Sequence, residues 1–188
     1  MNSILERTLA RHCGAVLLNK KPASMVSIPN MFRHELLNIS KALGEGLCAR
    51  ILACRAKSDL VLIYRPALLQ NVLDDERVCN LLAQTGYRVS GGLGATLDYL
   101  SKRICQASEF PHEVGIFLGY PYDDVTGFIE NKGRNFKQAG LWRVYGDVHT
   151  ALSLSMQYSL CSSYLMAHIE NGGCLSELCM EPTGYVPV

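Results

Sequence analysis

The sequence predicts an α/β protein: a single mixed or parallel sheet covered by helices, with the strand order left open. Three observations lead there. Leu60-Val61-Leu62-Ile63-Tyr64 is a continuous apolar run rich in β-formers, which suits a strand buried on both faces by helices. Stretches with apolar residues three and four apart recur on both sides of it, as amphipathic helices require. With 48% hydrophobic and 19% charged residues over 188 positions, the chain has the composition of one globular domain large enough to bury a core.

Taken in order, Ser3 to Arg11 predicts a short helix and Cys13-Gly14-Ala15-Val16-Leu17-Leu18 a strand. Lys20-Lys21-Pro22 breaks that strand, because a residue before proline is pushed towards extended geometry. Met25 to Ile28 extends again before a turn at Pro29-Asn30. Phe32, Leu36, Ile39 and Leu43 are spaced by four, three and four residues, predicting a helix from Met31 to about Leu43. Gly44-Glu45-Gly46 interrupts it, and Leu47, Ile51 and Leu52 predict a second short helix.

Beyond the Leu60–Tyr64 strand, Pro66 occupies a natural first helical position, with Leu68, Leu69, Val72 and Leu73 as the apolar face. Asp74-Asp75 reads as an N-cap for a helix through Val78, Leu81 and Leu82, closed by Gly86. Leu93, Leu97, Leu100 and Ile104 predict a further amphipathic helix. Val114-Gly115-Ile116-Phe117-Leu118 predicts a second buried strand, leaving through a turn at Gly119-Tyr120. Pro121 then opens a helix with Asp123 and Asp124 in its first turn and Val125, Phe128 and Ile129 as its buried stripe. A glycine inside a helix costs about 1 kcal/mol relative to alanine, so Gly127 marks a close approach of backbone or ligand. Trp142-Arg143-Val144-Tyr145 alternates like a strand, and Gly146-Asp147 caps a last helix with Val148, Ala151, Leu152 and Ser155 on one face. The expected organisation is one α/β domain over 1–165 and a loosely ordered tail over 166–188.

Charge narrows the partners. Eighteen basic residues oppose 17 acidic ones, for a net charge of +1 with no long block of either sign. Nucleic-acid binding draws most of its affinity from a basic footprint, so no nucleic-acid partner is expected. The longest apolar runs, Ala15–Leu18 and Leu60–Tyr64, fall far short of the roughly 20 residues that a membrane span needs. No membrane partner is expected either. The start, Met1-Asn2-Ser3-Ile4-Leu5-Glu6-Arg7, does not read as a signal peptide, so the expected location is cytoplasmic. In that compartment the eight cysteines are expected as free thiols packed as small apolar groups. Cys161, Cys174 and Cys179, with His168, come nearest to a metal set, but their spacing matches no zinc pattern and no metal is expected.

One long stretch carries a resemblance. Glu109 to Asp147, EFPHEVGIFLGYPYDDVTGFIENKGRNFKQAGLWRVYGD, resembles the signature of a clostridial-type bacterial family known as a domain of unknown function. His12 to Ile28 resembles that family's opening block, and Val61 to Leu69 its middle block. The resemblance implies no particular activity, cofactor or catalytic residue. It implies a cysteine near the position of Gln138, which this chain lacks, so a thiol or metal role at that position is in doubt. It also carries a loose association with iron-related gene neighbourhoods.

The candidate chemistry lies at expected strand ends, where open α/β sheets commonly hold ligands. His112 and Glu113 are the candidate catalytic pair, as acid and base, although neighbours on a strand point to opposite faces. Glu113 has a structural alternative, an ion pair with a basic neighbour. Arg65, Tyr120, Asp123, Lys132 and Arg143 are the candidate ligand contacts. First-turn aspartates and a basic helix end also serve the helix dipole and need no ligand. His12-Cys13 offers a nucleophile with a base, but no orienting third group is identifiable. Two readings follow. The first is a small-molecule-binding domain, with enzymatic chemistry left open and its site near the FPHEVG and LGYPYDD segments. The second is a non-catalytic interaction or regulatory protein, linked to iron or redox physiology and able to form homo-oligomers.

Overall fold

The computed structural model describes residues 1, 3–106 and 109–179. A three-stranded sheet forms the middle layer: β1 (Ala23–Pro29), β2 (Cys48–Cys54) and β3 (Ser58–Tyr64), in the order β1-β3-β2. Both pairings are antiparallel, with Val26 opposite Val61 and Ile51 opposite Val61 on the other side. The mixed or parallel sheet expected from the sequence is therefore corrected to a small antiparallel one. The reason is local: β2 and β3 are joined by Arg55-Ala56-Lys57, and so short a connection can only reverse the chain. The expected helix at Leu47–Leu52 is strand β2, whose register shifts between Ile51 and Ala53. That bulge is why its apolar residues do not alternate cleanly.

Helices cover both faces, as the continuous run in β3 requires. On one face Val26, Ile28, Val61 and Ile63 meet α1 (Ser3–Leu17), α2 (Arg33–Leu37), α3 (Ile39–Leu43), α9 (Val148–Glu170) and α10 (Leu175–Cys179). On the other, Leu52 and Leu62 meet α4 (Pro66–Leu73), α5 (Glu76–Gln84), α6 (Gly92–Gln106), α7 (Val114–Phe117) and α8 (Tyr122–Glu130). A hairpin of β4 (Gln138–Ala139) and β5 (Arg143–Val144) lies outside the main sheet.

Several elements stand where their local chemistry puts them. Pro66 opens α4, Asp75 caps α5 by accepting from the Arg77 amide at 2.8 Å, and Asp147 caps α9 by accepting from Thr150 at 2.8 Å. Gly86, just past the end of α5, has φ +92, the left-handed geometry that closes a helix.

Other expectations are overturned. The helix at the N-terminus does not give way to a strand at Cys13 but continues to Leu17, because Leu9, Cys13, Val16 and Leu17 are all buried on one helical face. Val114–Leu118 is helix α7 and its exit, not a strand. A buried apolar run this short carries no period of its own, so tertiary packing decides its form. The helix expected from Met31 to Leu43 is a 3₁₀ turn followed by α2 and α3, parted at Asn38. On α9 Leu152 is exposed, and the buried stripe is Ala151, Tyr158, Cys161 and Leu165. Of the expected loose tail, residues 166–179 belong to the end of α9 and to α10, with Leu175 fully buried. Residues 180–188 lie outside the described residues. Among the described residues no helix is long and apolar enough to cross a membrane.

Candidate functional site

The segment 109–147 folds as two short helices and a hairpin that closes over them. α7 and α8 turn sharply at Gly119, whose φ is +70. Asp124, in the first turn of α8, is the pin that holds the hairpin down. Its buried carboxylate accepts from the Trp142 indole Nε1 and from the amides of Tyr145 and Gly146, all at 2.7 Å. Gly127, one turn later, lets Tyr145 come close. A Cβ at Gly127 would sit 2.4 Å from the Tyr145 Cβ, so the close approach expected of this glycine is realised.

With the hairpin pinned, Trp142 stacks on Tyr120 at 4.6 Å between ring centroids, tilted by 22°. Phe128 meets the His112 ring edge-on at 4.8 Å. Arg143 lies over the Phe128 and Phe136 rings, at 5.8 and 5.1 Å, and donates to the Gly133 carbonyl. Between these groups is a cleft of about 370 Å³, walled by Phe110, Val125, Phe128, Leu141 and Trp142, with His112 and Arg143 as its basic members and Asp124, already accepting from three donors, as its one acid. Its size is that of a small-molecule site. Burial raises the Tyr120 phenol above its ordinary pKa, so it is a neutral donor there.

The structure brings together three of the sequence candidates: His112, Tyr120 and Arg143 all line this cleft. The others stand elsewhere. Glu113 is buried, pairs with Arg103 at 2.8 Å and accepts from Tyr87 at 3.2 Å. That arrangement is its structural alternative, an ion pair, and Glu113 does not line the cleft. Arg65 donates to the carbonyls of Val16 (3.1 Å) and Leu17 (2.6 Å), closing the C-terminal end of α1. Asp123 is exposed at the start of α8, and Lys132 is exposed in a left-handed conformation with φ +50. Neither lines the cleft.

The His12-Cys13 pair does not form. Cys13 faces the core, where burial pushes its thiol up to about 12, while the neighbouring His12 is exposed. Cys161 is buried, Cys174 contacts Ser176 at 2.9 Å, and His168 pairs with Glu177 at 2.8 Å. The Cys179 side chain lies outside the described ones. Among the described residues no three His, Cys, Asp or Glu side chains converge as a metal set.

Sequence reasoning missed Asp124 as the anchor, preferring its neighbour. The signal was present in the helical period: Asp124 shares a face with Gly127 and Phe128, whereas Asp123 points to solvent. It also missed Lys21. This lysine sits over the rings of Tyr120 and Tyr158, at 5.3 and 5.2 Å from their centroids. Burial lowers its pKa to about 8. No local pattern marks it, because its surroundings come from four separate segments.

No curated protein and no solved structure shows significant similarity to the chain. The family model described as protein of unknown function (DUF3793) matches residues 9–179, from the middle of α1 to the end of α10, and the chain belongs to that family.

Proposed function

We propose that this chain is a small-molecule-binding domain whose site is the aromatic cleft beneath the β4–β5 hairpin. One observation carries the reading: aromatic rings from separate segments, Phe110, Phe128 and Trp142, wall a single cleft that also contains His112 and Arg143. Aromatic walls favour a flat, largely apolar ligand, and the basic rim favours one with an acidic group. Arg143 spends one donor on Gly133, and a guanidinium has five, so donors remain for a carboxylate or sulfonate.

Trp142 is the one tryptophan of the chain and reports directly on the site. Titration with the planar anion 1-anilinonaphthalene-8-sulfonate is expected to show saturable one-to-one energy transfer from Trp142, competed by 4-hydroxybenzoate. Arg143→Gln is expected to weaken binding about tenfold, the loss of roughly one charge-assisted contact. Transfer that never saturates, or affinity unchanged in Arg143→Gln, would refute the reading.

A second reading, a self-associating interaction protein, is favoured by a stripe on α9. Leu152, Met156 and Leu160 succeed one another at helical spacing and are 47, 66 and 46% exposed. Under this reading the protein runs as a dimer in native mass measurements and Met156→Glu returns it to a monomer. A wild-type protein that stays monomeric at about 100 µM, a concentration that would populate any dimer with a micromolar Kd, would exclude it.

A further inference from the structure

A second cavity, of about 380 Å³, lies on the other side of Tyr120 and Leu141, between α1, β1 and α9. Its polar lining has one character. Arg11, His12 and Lys21 contribute basic groups, Ser24, Ser159 and Ser162 contribute hydroxyls, and no carboxylate is among its lining residues. The protein as a whole is almost neutral, so this segregation is local and not a consequence of composition.

Lys21 gives the cavity its direction. Its ammonium sits over two tyrosine faces, and among the described residues it has no carboxylate partner and no hydrogen-bond acceptor. Lys21 is half-buried, and a charge drawn partly out of water is ordinarily paired, because desolvation is costly without a counter-charge. The nearest ionisable group beneath it, Cys13, is held neutral by burial and offers no compensation. Desolvation is accordingly the first cause of the lysine's lowered pKa, about 8. An anion in the cavity would meet that charge together with donors from three elements: Arg11 on α1, Ser24 on β1 and Ser162 on α9. Donors arriving from several sides suit a tetrahedral oxyanion, which accepts in several directions, better than a planar carboxylate.

We infer that this cavity binds phosphate, either as the free ion or as the phosphoryl group of a small monoester, with Lys21 as the charge partner and Arg11, Ser24 and Ser162 as further donors. The inference is independent of the aromatic cleft: its evidence is the basic lining of a different cavity, and its test reads Lys21 and not Trp142.

The test is competitive labelling of the full chain with trace acetic anhydride, read at each lysine by peptide mass spectrometry. In phosphate-free buffer Lys21 is expected to titrate near pH 8. At pH 8, saturating inorganic phosphate is expected to reduce Lys21 acetylation about fivefold, as a one-unit rise from a pKa of about 8 would, or further by direct occlusion, and to leave Lys20 unchanged. Repeating the titration with glycerol 3-phosphate identifies the source, since the form that protects at lower concentration is the one the cavity takes. Thermal melting supplies a second readout. Phosphate is expected to raise the wild-type Tm, and Lys21→Met is expected to melt higher than wild type in phosphate-free buffer at pH 7 and to gain nothing from phosphate. Equal labelling of Lys21 with and without both phosphates would overturn the inference. So would a Lys21→Met protein whose Tm climbs with phosphate as the wild type's does.

Discussion

Asp124→Ala is expected to destabilise the protein by about 3–5 kcal/mol, because each buried donor left without an acceptor costs about 1–3 kcal/mol and three lose theirs together. The Asp124 carboxylate is 2% exposed and receives the Trp142 indole and the Tyr145 and Gly146 amides. Alanine supplies no acceptor, and the small cavity it leaves is walled by α8 and the hairpin. The hairpin should lift, Trp142 should lose its stacking on Tyr120, and its emission should move to the red under native conditions. Urea unfolding followed at Trp142 checks both effects. Asp124→Asn keeps one carbonyl oxygen for two of the three donors, so stability should fall in the order wild type, Asn, Ala. A native-like Trp142 spectrum and a wild-type urea midpoint in Asp124→Ala would show that the hairpin is held by its apolar contacts alone.

Gly14→Val is expected to cost about 3 kcal/mol, at the upper end for inserting bulk into a packed interior. A Cβ at Gly14 would sit 2.7 Å from the Ser162 Cα and 2.8 Å from its amide nitrogen. Both are backbone atoms of α9, so no side chain can swing aside. The two helices must separate, and with them Cys13, Val16, Cys161 and Leu165, all buried in that core. Replacing glycine in a helix ordinarily gains up to about 1 kcal/mol in propensity. The steric cost exceeds that gain, so even Gly14→Ala should destabilise. The measurement is the urea midpoint at unchanged slope, and a midpoint at or above wild type would mean that α1 and α9 slide apart with little loss.

The legible parts of the fold are those decided within a few residues. Leu60–Tyr64 announced β3 because a continuous apolar run suits a strand buried on both faces, and Leu60 to Ile63 are buried. Pro66 announced a helix start because its fixed φ and missing N–H suit the first helical position, and Asp75 and Asp147 did because capping is chemistry between a side chain and amides two or three positions away. Gly127 announced a close approach because nothing else recommends glycine in mid-helix. By contrast, Cys13–Leu18 and Val114–Leu118 were read as strands and are helices, while Leu47–Leu52 was read as a helix and is a strand. The first two are short apolar runs buried nearly all round, which carry no period to choose between the two forms, and the third is a half-buried strand whose bulge between Ile51 and Ala53 breaks its alternation.

The candidate site divides along the same line. His112, Tyr120 and Arg143 could be singled out because they stand in one dense segment, and that segment folds on itself. Glu113 and Arg65 looked equally available in the sequence. Their partners, Arg103 and the carbonyls at the end of α1, lie 10 and 48 or more residues away, which no local pattern reveals. The same distance hid Lys21, whose significance depends on Tyr120, Tyr158 and Cys13 meeting around it.

By itself the sequence determined that this chain mixes helices with strands, with one strand buried on both faces and helices capped where their local chemistry puts them. Those properties follow from composition, period and capping, which act over one or two turns of chain. Only the tertiary structure decided that the sheet is antiparallel, that Asp124 pins the hairpin, and that a lysine after the first helix faces a basic cavity. Each of those depends on which distant backbone and side chains supply the hydrogen bonds, the bulk and the dielectric, and that is settled by packing.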